Sequence, residues 1–535
     1  MTAKSARAEP LPLKAADIPR FYNAVNILEH NLAERAHKTA LSSAEREMTF
    51  AEVSYEVNRV GRALQRLSVR PGEMVGLLSL DCAEWVTAFF GIIKIGGIAV
   101  SMNTLLKPTD HAYILNDARV RVLIVHESLV PMIEPVRDQL LFVEHVIVIG
   151  SAPARSGDFR FADWIAGESD ELTASRTHRE DFCTLNYSSG TTGESKGIPH
   201  AHKDLLLTSQ LTGANVLGIR ESDRTFGAPK LFFVYATGGN LLFPWHVGAS
   251  VVLMAAPPRI AANVLDTIER FRPTVHFNAP TGYAAMLAAL EQGKRDLSSL
   301  RLCVSAGEAL PAPIWHKWKE QTGVDIVDVI GSTEMYHGFL SNRPDDIRPG
   351  STGKPYAGYD LRIVDEQGHD VSQGTIGNLW VRGESSALFY FHNEEQSRKT
   401  FLGQWTVTGD KYSMDKDGYY WHAGRSDDML KVGGIWVSPM EVESALLSHP
   451  AVLECAVVGQ MDQSELIKPK AYVVIKDPYR PGDELAAELI THCRQKIAEY
   501  KRPRWIEFVH ELPKTATGKI QRFKLRSPTG GKPAG

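Results

Sequence analysis

Cysteine is scarce in this chain, and the five present, Cys82, Cys183, Cys303, Cys455 and Cys493, are scattered without CxxC spacing. That excludes a disulfide framework and a cysteine-based zinc cluster, and it fits a reducing cytoplasm. No excess of either charge exists: 59 Lys and Arg stand against 63 Asp and Glu, a formal charge of -4. Nothing then draws the whole surface to nucleic acid or to an anionic membrane, so any polyanion must be held by a local site. Long apolar runs are absent too. The strongest, Trp85 to Met102, is interrupted by Lys94 and by Gly91, Gly96 and Gly97, and the first residues carry positive charge with no apolar stretch behind it, so neither a membrane span nor a leader is expected. What is there is ordinary globular material, 535 residues with 43% hydrophobic and 23% charged. Disorder and collagen-like repeats are excluded, and about three or four domain-sized units are expected.

From about residue 20 to 420, short β-branched runs alternate with helix-length amphipathic stretches, as in VRVLIVHE, HVIVIG, SVVLMAA, TVHFNAP and LRLCVSAGEAL. This alternation predicts an α/β fold of β-α units on parallel sheets. Beyond 378 the texture becomes strand-rich, with DKDG marking a hairpin turn between QWTVTGDKYSM and YYWHAGR. Past Lys431 the pattern predicts a small α+β domain: a Pro-led helix at PMEVESALLSH, strands at LECAVVGQ, KAYVVIKD and RWIEFVHEL, and a helix from Asp483 to Lys501. A large domain over 1–426 and a small one over 427–535 follow, with loose tails up to about Asp17 and from Pro528.

The most distinctive segment is YSSGTTGESKG, Tyr187 to Gly197. Glycines let backbone N–H groups converge on an anion, hydroxyls add donors, and Lys196 adds a charge, which is the logic of a phosphate-binding nest. The kinase-type pattern GxxxxGK[ST] is not met, because Ser195 stands where its second Gly belongs and Gly197 where its Ser or Thr does. A cluster of small polar residues also occurs as an ordinary surface loop, and only its order argues otherwise.

That order resembles the phosphate loop of the adenylate-forming superfamily, which includes acyl-CoA synthetases, firefly luciferase and peptide-synthetase adenylation domains. The companions follow in sequence: SAGEAL from Ser305, GSTE from Gly331, TGD from Thr408, GRSDDMLKVGG from Gly424 and PKTATGKI from Pro513. The resemblance implies a nucleotide site built from Ser188, Ser189, Gly190, Thr191, Thr192, Gly193 and Lys196. It places Gly307, Glu308 and Ala309 on one adenine wall, and Asp328, Gly331 and Ser332 on the other. Thr333 would meet phosphate, Glu334 would hold Mg²⁺, and Asp410 with Arg425 would bind the ribose. Lys519 would reach the reacting carboxylate and α-phosphate. Asp427 would be the hinge between domains, and Lys431, Gly433, Gly434 and Trp436 would line a coenzyme A channel. A distorted β-barrel-like subdomain is implied between the parallel sheets and the hinge.

KLFFVYATGGNLLFP, STEMYHGFLSNRP and KVGGIWVSPMEVE further resemble the benzoate-CoA ligase group. The resemblance implies an aryl pocket floored by Phe232, Phe233, Val234 and Tyr235, bordered by Ala306 and closed by Tyr336, His337 and Gly338. His337 reads equally as a core histidine or as a contact to the ring or carboxylate. Relatives that activate benzoate carry a bulky aliphatic at the place of Gly338 and alanine at that of Val234. The glycine is therefore expected to open room for a ring substituent, favouring anthranilate (2-aminobenzoate), then hydroxybenzoates, then benzoate. The activity implied is ATP-dependent aryl-CoA ligation through an aryl-AMP, by a cytoplasmic monomer or homodimer without nucleic-acid partners. Transfer to a carrier-protein thiol and an inactive binding module are the alternatives.

Overall fold

The computed structural model describes residues 12–151, 155–188, 195–425, 428–432, 435–462, 466–514 and 520–526. Two large sheets are built from strands between Thr39 and Pro355, and both are parallel except at their edges. The first has nine strands, with Ile326–Gly331, Leu302–Ala306, Val275–Asn278, Arg224–Gly227, Ser250–Val252 and Thr39–Ser42 running parallel through its middle. The second has seven, and ends on the antiparallel pair Phe182–Ser188 and Lys196–Ala201. Strands such as Leu302–Ala306 and Ile98–Ser101 are buried along their whole length, as sheets covered by helices on both faces require.

Local chemistry explains the helices. Phe50–Arg66 starts on a reciprocal cap in which Thr49 Oγ1 accepts the Glu52 N–H at 3.2 Å and Glu52 returns a carboxylate oxygen to the Thr49 N–H at 2.7 Å. The apolar run at Trp85 becomes a helix, Ala83–Lys94, and a strand, Ile98–Ser101, separated at Gly96 and Gly97. Lys94 is buried there against Glu29 and Asn58. Among the described residues no helix is long and apolar enough to cross a membrane.

Between the large sheets and the final domain lies a five-stranded antiparallel sheet, Tyr359–Val364, Gly377–Gly383, Phe401–Leu402, Trp405–Met414 and Tyr420–Arg425. Its strands form an open path, so the barrel-like subdomain expected here is a sheet without closure. The DKDG turn is present: Asp415 Oδ1 accepts the N–H groups of Asp417 and Tyr419, and Gly418 takes φ +82°.

The last hundred residues form a hairpin of Leu430–Val432 and Ile435–Val437, a three-stranded sheet of Val452–Met461, Ile467–Ile475 and Trp505–Phe508, and the helices Pro439–Leu447 and Asp483–Lys496. The second helix stops five residues short of the expected Lys501, because Ile497 turns extended and 499–501 form a separate short turn. The expected N-terminal tail is also shorter. Ala15–Asp17 form a turn, Ala15 donates its N–H to Glu384 at 2.6 Å, and Ile18 is buried.

Candidate active site

The phosphate-loop motif caps a β-hairpin. Its two strands pair Tyr187 with Gly197 and Ser188 with Lys196, so Ser188 and Lys196 face each other across the mouth. Ser189, Gly190, Thr191, Thr192 and Gly193 lie outside the described residues. The hairpin is anchored from behind, where the Tyr187 hydroxyl donates to Asp117 at 2.5 Å and the Tyr113 hydroxyl donates to the Ser195 carbonyl at 3.3 Å.

GSTE falls where the strand Ile326–Gly331 ends and the short helical turn Thr333–Met335 begins. Each carbonyl of that turn accepts from a different donor. His200 Nε2 bonds the Thr333 oxygen at 2.7 Å, the Ala387 N–H bonds that of Glu334 at 2.7 Å, and Ser385 Oγ bonds that of Met335 at 2.9 Å. The Ser332 hydroxyl caps the turn by accepting the Met335 N–H. Gly331 is required, since a Cβ there would lie 2.5 Å from the His337 carbonyl oxygen. Tertiary bonds thus fix the backbone of the turn that carries Thr333 and Glu334, and the Glu334 Oε1 accepts the Tyr390 hydroxyl proton at 2.7 Å.

On the adenine side, Asp328 is buried beneath the SAGEAL segment and accepts the Leu310 N–H at 3.4 Å. Its other carboxylate oxygen, Oδ1, has no hydrogen-bond partner among the described residues. Burial pushes this carboxyl up to about 7. Gly307 takes φ +95°, and Glu308 Oε1 accepts the backbone N–H of Ile520 at 3.2 Å. Lys519 itself lies outside the described residues, as does Asp427. The base of the lysine loop is held where Lys514 pairs with Ile520 and the Gln521 N–H donates to the Pro513 carbonyl.

The ribose motif and the hinge motif meet on paired strands. Asp410 sits directly opposite Arg425, with Oδ1 3.6 Å from Arg425 Nε and 3.5 Å from His422 Nε2. Gly409, at φ +77°, turns the strand under the guanidinium. Beyond the hinge position, Lys431 and Trp436 are in register across the small hairpin, while Gly433 and Gly434 are outside the described residues.

At the aryl wall, Phe232 is buried and Phe233, Val234 and Tyr235 are half-buried on the turn leading into the short helix Val234–Thr237. The Tyr235 hydroxyl is spent on the strand ends, donating to the Asn278 and Val304 carbonyls at 3.1 and 3.0 Å. Ala306 closes the buried strand Leu302–Ala306 beside it. Tyr336, at φ +65°, packs edge-on to His200. His337 donates from Nε2 to the Tyr235 carbonyl at 3.1 Å and lies 4.5 Å from Phe243, and burial pushes it down to about 4. It is a neutral core histidine whose bare Nδ1 has no partner among the described residues.

The expectation that Gly338 opens room needs correcting. A Cβ at 338 would meet Val329 Cγ1 at 2.5 Å and the Tyr356 hydroxyl at 3.2 Å. That hydroxyl is itself held by Thr212 at 2.9 Å. The space a Cβ at 338 would take is therefore already occupied by Val329 and Tyr356.

The comparisons with known proteins agree with this layout. A family model described as AMP-binding enzyme matches residues 28–391, and one described as AMP-binding enzyme C-terminal domain matches 441–519. The chain belongs to the AMP-binding enzyme family. Within these adenylate-forming enzymes it falls in the benzoate-CoA ligase group, AMP-forming acid–thiol ligases. It is 47% identical to the benzoate–CoA ligase of Thauera aromatica over 96% of this chain and 97% of that one. Among solved structures, the anthranilate CoA ligase AuaEII in complex with anthranoyl-AMP superposes with a TM-score of 0.94 at 63% identity, covering 96% of this chain and 98% of the other. A benzoate CoA ligase from Burkholderia xenovorans superposes with a TM-score of 0.87 at 41% identity, covering 95% and 100%.

Two site residues of this AMP-binding enzyme carry no motif of their own. His200 and Tyr390 both touch the Thr333–Met335 turn, and neither was singled out from sequence. His200 stands four residues after Lys196, close enough to the phosphate loop to have been a candidate. For Tyr390 the only signal is an aromatic run, Phe389 to Phe391, beyond the GNLWVRG strand.

Proposed function

We propose that this AMP-binding enzyme joins anthranilate to coenzyme A through an anthranoyl-AMP, with Mg²⁺ accompanying the ATP. The observation that carries the choice of acid is the 63% identity to a ligase holding anthranoyl-AMP, against 47% and 41% for the benzoate ligases. In the first half-reaction a carboxylate oxygen of the acid attacks the α-phosphate and pyrophosphate leaves. No base is needed, since the acid is already ionised at neutral pH. The difficulty is bringing two anions together, so the work is positioning and charge stabilisation. Lys196 and the loop donors from Ser188 to Gly193 hold the phosphates, Lys519 neutralises the reacting oxygens, and Asp410 with Arg425 orients the ribose.

The residues present suit Mg²⁺. Among the described residues no group of three or more His, Cys, Asp or Glu could hold a metal alone. Mg²⁺ instead prefers one or two carboxylates plus substrate phosphates, and Glu334 beside the Thr333 hydroxyl provides such a place. When bound there, the ion screens phosphate charge.

In the second half-reaction the thiol sulfur attacks the acyl carbon, the carbon–oxygen bond to AMP breaks, and the thiol proton goes to solvent. The domain after Asp427 turns to withdraw Lys519 and present the 431–436 hairpin, which also limits water's access to the adenylate. The experiment is a CoA-ligase assay across anthranilate, the hydroxybenzoates and benzoate. Highest kcat/KM with anthranilate supports the reading, and preference for another acid overturns it. Adenylate formation without thioester on free coenzyme A would point to a carrier-protein thiol.

A further inference from the structure

Tyr390 lies between the two charged groups that the phosphates would meet. Its hydroxyl donates to Glu334 Oε1 at 2.7 Å, and the Lys196 ammonium sits 5.1 Å from the centre of its ring. The ring is only 4% exposed and packs with Ile198, Ala387 and Phe401. Its backbone is fixed as well: the Tyr390 N–H donates to Ser397 Oγ at 2.8 Å, and its carbonyl accepts the Asn393 N–H at 3.2 Å. The same strap reaches Glu334 a second time, through the Ala387 N–H on its carbonyl.

We infer that Tyr390 is a positioning residue for the nucleotide's divalent cation. It occupies one oxygen of Glu334, fixing the carboxylate rotamer so that the other oxygen faces a cation carried in on the ATP phosphates, and its ring face aligns Lys196 toward the same phosphates. A lone carboxylate that must bind a weakly held ion gains from this, because a free rotor would spend entropy on every binding event. Partners that orient a metal ligand in this way typically change metal affinity about 10–100-fold when removed.

The inference rests on the reading of Glu334 as the metal-facing carboxylate, and the test separates the two. Mn²⁺ binding to the enzyme–ATP complex is titrated by electron paramagnetic resonance for the wild type, Tyr390→Phe, Tyr390→Leu and Glu334→Gln, with melting curves to confirm folding. Tyr390→Phe keeps the ring and should weaken Mn²⁺ about tenfold while leaving metal-free ATP binding within twofold. Tyr390→Leu removes the ring as well and should also weaken ATP in the absence of metal. Unchanged Mn²⁺ affinity in Tyr390→Phe, with Glu334→Gln weakened, overturns the role of Tyr390 alone. Unchanged affinity in Glu334→Gln overturns the metal reading and the inference with it. Equal loss of ATP with and without metal in Tyr390→Phe marks a merely structural residue and also overturns it.

Discussion

His200 ties Asp204 to Thr333: its Nδ1 lies 3.0 Å from Asp204 Oδ2 and its Nε2 lies 2.7 Å from the Thr333 carbonyl oxygen, with His200 and Asp204 both buried. Both nitrogens face oxygen atoms. Asp204 also accepts the Ala201 N–H and the Lys203 ammonium, so the ring is braced from a fixed point. Replacing it with phenylalanine preserves the edge-on packing against Tyr336 and removes the ring's bonds to Asp204 and to the Thr333 carbonyl, which keeps the Tyr336 N–H, a loss of about 1 kcal/mol for each bond. His200→Phe should lower kcat/KM for acid-dependent pyrophosphate exchange by about tenfold or more. A rate within twofold of wild type would remove His200 from the support of the turn.

Lys519→Ala should abolish adenylate formation, a loss of about a hundredfold or more for a group that neutralises charge in the transition state. Thioester formation from supplied anthranoyl-AMP should stay close to wild type. Stopped assays of the two half-reactions read this directly, and equal loss in both would deny the lysine its separate role.

Asp427→Pro is expected to show the opposite pattern. Fixing the backbone at the hinge should leave pyrophosphate exchange intact and slow the transfer of a preformed adenylate to coenzyme A. An unaffected second step would move the pivot elsewhere.

At Gly338 a single methyl should already be costly, given the 2.5 Å approach to Val329 Cγ1. Gly338→Ala is expected to lower the melting temperature and the kcat/KM for anthranilate. Adding Val329→Ala should restore part of both. Failure of the double variant to recover either quantity would show that the contact does not govern the pocket.

Asp328 makes stability depend on pH. Its folded value of about 7 lies above the ordinary 3.8, so between those values the folded chain binds more protons than the unfolded one. Stability from this group therefore falls as pH rises through that window. The drop in melting temperature from pH 5 to pH 8 should be smaller in Asp328→Asn than in the wild type. An equal drop in both would assign the dependence to other groups.

How far the sequence discloses this molecule depends on how local the signal is. Whereas Asp410 and Arg425 were named only as ribose contacts implied by the resemblance and the structure sets them opposite each other, the DKDG turn was readable because it is a short run whose residue types dictate its geometry. Tyr390 and His200 were not, since they act across 56 and 133 residues on a turn neither adjoins. The distorted barrel-like subdomain was implied by the resemblance alone, and alternation along its strands, which reports faces and not closure, could not show that the sheet stays open among the described residues. The early end of the helix at Lys496 reflects a turn, Ile497 to Lys501, whose residues are adequate helix formers overridden by packing. Gly338 shows the limit most plainly: a missing side chain can be inferred from a chain of letters, but not which neighbours fill its place.

The bond from Ile520 to Glu308 comes from main chain, so its formation does not depend on which side chain stands at 520. One such bond contributes about 1 kcal/mol net. Elsewhere, Lys317 and Lys476, one in each of the two matched family regions, approach each other, and burial together with that repulsion pushes Lys476 down. The rotation proposed above would open this clasp once in every turnover, and tightening it, for instance by turning Lys476 into a partner for Lys317, would then trade speed in the second step for persistence in the first.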